Sequence, residues 1–88
     1  MSDDLHLDGN GVAGLLAEIF GTDATTADRT CASCGASHVI AAHRAYRGAG
    51  LVLRCPSCAD VAVRIGTLAD RYVVEVRGRL LMQIPHRS

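Results

Sequence analysis

Eighty-eight residues allow one small domain, and a chain this short buries a modest core that often needs a metal, a disulfide or a partner. With 49% hydrophobic and 20% charged residues, the composition is that of a globular protein and excludes wholesale disorder. The formal net charge of zero hides a split. Residues 1–28 carry Asp3, Asp4, Asp8, Glu18, Asp23 and Asp28 and no Arg, whereas residues 29–88 carry all nine arginines against Asp60, Asp70 and Glu75, giving −6 and +6.

Mutual attraction of the two halves is the simpler reading of that split, and a basic face for nucleic acid or an acidic protein is the sharper one. Lys is absent and no dense Arg run occurs, which favours the simpler reading. No run reaches the roughly 18 apolar residues of a membrane span. The start Met-Ser-Asp-Asp-Leu-His lacks the basic end and apolar stretch of a secretory signal, so no membrane contact and a cytoplasmic location are expected. Four cysteines in a reducing compartment point to metal ligands before disulfides.

In chain order, Val12, Leu15, Leu16, Ile19 and Phe20 recur at spacings of three and four, predicting a helix over about residues 10–20 with one apolar stripe. Asp8 or Asn10 is placed to cap it and Gly21 to end it. So short a helix is marginal alone, and its stripe must pack on the rest of the chain, on a second copy as a homodimer, or on a protein partner. Residues 22–30 are polar and aperiodic and read as a mobile linker, setting residues 1–28 apart as an acidic segment from a ribbon domain over 29–88.

Beyond Cys34 the period becomes two. Residues 39–46 and 51–54 flank Arg47-Gly48-Ala49-Gly50, a hairpin tip. Val61, Val63 and Ile65, then Tyr72, Val74 and Val76, alternate as half-buried strands. Gly78 marks a turn before a last apolar face of Leu80, Met82 and Ile84. The expected fold is small α+β and metal-stabilised: a zinc ribbon of antiparallel β-hairpins with one N-terminal α-helix.

The chemistry sits in Cys31-Ala32-Ser33-Cys34-Gly35 and Cys55-Pro56-Ser57-Cys58-Ala59, with twenty residues between Cys34 and Cys55. Two intervening residues let both sulfurs of a pair turn toward one ion, and two such pairs make a tetrahedron, the C-x2-C…C-x2-C zinc template. Four thiolates leave no open position for water or substrate, so a non-enzymatic role is expected. One Zn²⁺ would lower the second half's charge to about +4. His6, His38, His43 and His86 are not needed as ligands; His38 and His43 are expected on opposite faces of one strand. Arg44, Arg54 and Arg64 form the basic strand face on which a protein partner, or less readily a nucleic acid, would dock, with the stripe from Val12 to Phe20 as the second candidate surface.

Leu7-Asp8-Gly9-Asn10, Ala13-Gly14-Leu15-Leu16, Phe20-Gly21, Cys-x-x-Cys-Gly, Tyr46-Arg47-Gly48-Ala49-Gly50 and Leu53-Arg54-Cys55-Pro56-x-Cys58 resemble a family of short zinc-ribbon proteins of unknown function from high-GC bacteria, over nearly the whole chain. Its members tend to be encoded near flavin-dependent reductases and molybdopterin oxidoreductases, so the resemblance implies a redox enzyme as partner. The two pairs are also similar to rubredoxin knuckles, which hold one redox-active iron. Here Ala59 stands where rubredoxins usually have Gly, the spacing between pairs is short and the aromatic core is missing. Polymerase-entering zinc ribbons carry paired acids at the hairpin tip, absent from Arg47-Gly48-Ala49-Gly50, and a nickel metallochaperone ribbon wants His where Ser2 stands.

Overall fold

The computed structural model describes residues 6–86; Asp3 and Asp4 of the acidic segment lie outside them. The elements are β1 (His6–Asp8), a 3-10 turn (Gly9–Val12), α1 (Ala13–Phe20), β2 (Asp28–Thr30), β3 (Ser37–Val39), a 3-10 turn (Ile40–Ala42), β4 (Arg44–Arg47), β5 (Leu51–Arg54), β6 (Val61–Thr67), β7 (Tyr72–Val76) and β8 (Arg79–Leu81). This is an α+β fold of one helix and two antiparallel sheets, in the orders β1-β4-β5-β6-β7 and β3-β2-β8. No helix among the described residues is long and apolar enough to cross a membrane.

The helix starts later than its periodicity suggests. Gly9–Val12 winds as a 3-10 turn, the N-cap is Val12 without a side-chain cap, and Asp8 belongs to β1, in register with Arg44. Neither Asp8 nor Asn10 stands at the N-cap position, because β1 holds the chain extended up to Gly9, whose N–H donates to the His43 carbonyl at 2.7 Å. The C-terminus follows the sequence: Gly21 turns left-handed (φ 76) and donates to the Ala17 carbonyl. The stripe packs on the chain's own sheet. Leu16 is 0% exposed, Val12 is buried beside Ala45, Leu51, Leu53, Val63 and Ile65, and Leu15, Ile19 and Phe20 lie against them. Val12 and Leu16 are thus core residues rather than a surface for a partner or second copy, since the sheet face they cover is the nearest apolar area.

The expected linker is structured as well. Asp23 accepts hydrogen bonds from the backbone N–H (2.9 Å) and hydroxyl (2.7 Å) of Thr25, a local turn that lets Ala24, Thr25 and Ala27 bury. The boundary expected after residue 28 falls inside β2, and Ala24 and Ala27 share one core with Leu53, so the packing runs continuously across it. The same segment breaks the strand expected over 39–46: the Thr25 and Ala27 carbonyls accept from Ala41 and Ile40, both at 2.9 Å, and Ile40–Ala42 curls into a 3-10 turn.

The hairpin tip at Gly48–Gly50 joins β4 to β5 as read. In β6 a bulge at Ala62, opposite the Leu53/Arg54 step of β5, lets both Ala62 and Val63 bury. β7 departs from half-burial: α1 reaches only as far as Tyr72, whose hydroxyl donates to Glu18 at 2.8 Å, and Val73, Val74 and Val76 all stay exposed. Leu80 and Met82 pack on the core, but Ile84 stays exposed.

Candidate metal centre

Each cysteine pair sits in the turn of a hairpin, Cys31 and Cys34 between β2 and β3, Cys55 and Cys58 between β5 and β6. Both turns close in the same way. Gly35 N–H donates to the Cys31 carbonyl (3.1 Å) and Cys31 N–H to Ala36 (2.9 Å); Ala59 N–H donates to Cys55 and Cys55 N–H to Asp60, both at 2.9 Å. The residue after each pair is left-handed, Gly35 at φ 76 and Ala59 at φ 65. The C-x-x-C-x-x spacing thus builds two matching knuckles at the junction of the two sheets.

All four Sγ atoms lie within 4.8 Å of one another, with Cys31–Cys58 at 3.6 Å and Cys34–Cys55 at 3.8 Å. A tetrahedron with metal–sulfur bonds of about 2.3 Å has edges of roughly 3.8 Å, so the four donors fit one ion. Cys31 and Cys55 are buried, Cys34 and Cys58 exposed. Backbone N–H groups of Cys34 and Ser33 bring the Cys31 thiol down to about 6. Burial opposes charge on Cys55, yet the N–H groups of Cys58 and Ser57 hold it below the ordinary value. For Cys58 the Asp60 N–H favours the thiolate, but burial and the three neighbouring thiols push it up to about 12. The cluster by itself therefore resists a full set of thiolates, which a divalent cation at its centre would stabilise.

Two clasps join the knuckles, and the sequence reading missed both. The Ser33 hydroxyl donates to the Asp60 carboxylate, and His38 Nε2 meets the Ser57 hydroxyl at 2.8 Å. Asp60 also accepts from Val61 N–H at 3.0 Å and pairs with Arg77 at 3.5 Å; Ser33 first, then these partners and Arg29, lowers its carboxyl below the usual range. The one available signal was position, since Asp60 stands two residues past Cys58 as Ala36 does past Cys34.

Behind the first knuckle Arg29 is 1% exposed and lacks a carboxylate within ion-pair distance among the described residues. Its Nε donates to the Arg77 carbonyl at 3.1 Å and its Nη1 lies 3.5 Å from Nε2 of His43, itself 0% exposed. The single strand expected to carry His38 and His43 on opposite faces does not form: the 3-10 turn intervenes and their rings meet edge-on at 6.3 Å.

Register places the three candidate arginines on one sheet face. Arg44 is opposite Arg54, and Arg64 is opposite Val52, which shares the parity of Arg54. Their surroundings differ. Arg54 braces the second knuckle by donating to the Ala59 carbonyl at 2.9 Å and lies 5.8 Å over the Tyr46 ring, while Arg64 pairs with Glu75 at 3.8 Å in the open.

Compared with known proteins, residues 3–87 match the model of a family described as a family of unknown function (DUF6510). No curated protein and no solved structure matches the chain.

Proposed function

From a chain that belongs to the family of unknown function DUF6510, and from the four thiols gathered at one point, we propose a non-enzymatic zinc ribbon: one structural Zn²⁺ on Cys31, Cys34, Cys55 and Cys58, supporting a surface that engages a protein. The observation that carries this reading is the mutual approach of all four Sγ atoms within 4.8 Å. Four thiolates complete the sphere of zinc and leave no site for a substrate. Thiolate tetrahedra accept iron as well, but the buried core here is aliphatic among the described residues and offers no aromatic wall of the rubredoxin kind. The reading carries with it a reducing, cytoplasmic location.

Protein made with zinc and iron both available, followed by metal analysis and a visible spectrum, tests the centre. One zinc per chain in a colourless, redox-inert sample is expected; a coloured, iron-stoichiometric sample overturns zinc in favour of an electron carrier.

For the surface, Arg44 and Arg64 are the members of the basic face that can be changed without disturbing a knuckle, because Arg54 holds Ala59. Reversing both charges should leave metal content and fold intact and abolish co-purification with a partner, for which a flavin or molybdopterin oxidoreductase is the class to look for first. Unchanged co-purification removes that face. The absence of Lys and of any dense Arg run favours a protein over nucleic acid. Absence of retention on nucleic acid at low salt is expected accordingly.

A further inference from the structure

β7 ends the larger sheet, and no described strand pairs with its far side. At five residues it is longer than the three-residue strands β1, β3 and β8 at the other sheet edges. It has none of the Lys, Pro or inward-pointing charge that usually blunts an edge. Val73 is 52% exposed on one face, Val74 and Val76 are 38% and 36% exposed on the other.

The backbone bonds at its two ends show which groups the edge offers. The Leu68 N–H donates to the Arg71 carbonyl at 2.8 Å and the Arg77 N–H donates to the Ala62 carbonyl at 2.9 Å. In an antiparallel ladder both polar groups of a residue point the same way and alternate along the strand. Arg71, Val73, Glu75 and Arg77 therefore face β6, and Tyr72, Val74 and Val76 direct N–H and C=O outward.

We infer that this edge joins a second copy of the chain, β7 to β7 antiparallel about a two-fold axis at Val73, fusing the two larger sheets into one. Identical strands paired this way are self-complementary by symmetry. With the axis at Val73, Tyr72 exchanges backbone bonds with the partner's Val74, Val73 meets its own copy, and Arg71 stands opposite the partner's Glu75. Shifting the axis to Val74 instead sets Arg71 against the partner's Arg77 and Glu75 against Val73. Charge and apolar matching select the first register.

Sedimentation of the full chain over a concentration series should reveal a particle twice the 9.3 kDa of one chain. Val73→Asp, which sets two carboxylates on the axis, should weaken it by about tenfold or more, with metal content and circular dichroism unchanged because Val73 is exposed. Glu75→Arg alone should weaken it likewise, and Glu75→Arg with Arg71→Glu should restore it; this pair decides the matter if Val73→Asp does not fold. A single-chain mass throughout, an assembly indifferent to these changes, a charge swap without rescue, or an edge that takes only another protein's strand overturns the proposal.

Discussion

Ala59 adopts φ 65 where the matching knuckle has Gly35 at φ 76. A Cβ in that conformation costs about 1–2 kcal/mol, offset in part by the smaller entropy that Ala loses on folding. Ala59→Gly should therefore raise stability by up to about 1 kcal/mol, read as a higher denaturant midpoint at equal metal content; a lower midpoint overturns the strain account. His43 is a fully buried residue whose ionisation bears on the fold. Its Nδ1 lies 2.9 Å from the Val39 carbonyl, which can only accept, so the proton sits on Nδ1 and Nε2 offers its lone pair to Arg29. Burial holds its pKa below the ordinary imidazole value against the pull of the Val39 carbonyl, and Arg29 and His38 add to the lowering. Folded His43 is neutral while the unfolded side chain takes a proton near pH 6.5. Its contribution is thus complete above about pH 6.5 and declines as pH falls from there toward the depressed folded value, with a slope of at most about 1.4 kcal/mol per pH unit. Unfolding free energies from pH 7.5 to 5.5 should fall more steeply for wild type than for His43→Gln. The difference separates this residue from proton competition at the cysteines, and equal slopes would exclude it.

Among the elements, α1 shows how far pattern reading reaches. Its stripe, its end at Gly21 and its need for a docking surface were legible, because spacing alone defines an apolar face. An eight-residue helix has little stability of its own, so packing carries it. Leu16→Ala, at a position 0% exposed, should cost about 2–5 kcal/mol, measured by denaturant unfolding. A loss below about 1 kcal/mol would mean that the helix does not depend on this contact. Residues 22–30 were misread because polarity usually signals solvent. Here Asp23 and Thr25 satisfy each other, small alanines sink between them, and the segment's carbonyls take the bonds that a longer strand at 39–46 would need.

For the molecule as a whole, the cysteine cluster sits where two sheets meet, one of them made only of three-residue strands. Beside the cysteines, the Ser33–Asp60 and His38–Ser57 clasps, the bond from Arg29 to the Arg77 carbonyl, Leu80 on the core and Gly78, at φ 86, fitted against Thr30 hold the smaller sheet in place. Removing the proposed metal should unfold β2, β3 and β8 first and cooperatively, because three-residue strands have little stability of their own and site formation and folding are coupled. Cys→Ser at any of the four positions should do the same. A chelator titration followed by circular dichroism and amide exchange checks both; spectra and protection unchanged at zero metal would contradict a structural role.

What the sequence determined by itself is the two C-x-x-C pairs, the apolar stripe of α1 and the glycine-rich tip, all of them local patterns whose spacing carries the geometry. Tertiary structure alone decided that the stripe belongs to the chain's own core, that Asp60 and His38 clasp the opposite knuckle, that Arg29 and His43 bury against each other, and that β7 is left open at the edge. Each of those depends on which distant segments come to lie side by side, and no local periodicity encodes that.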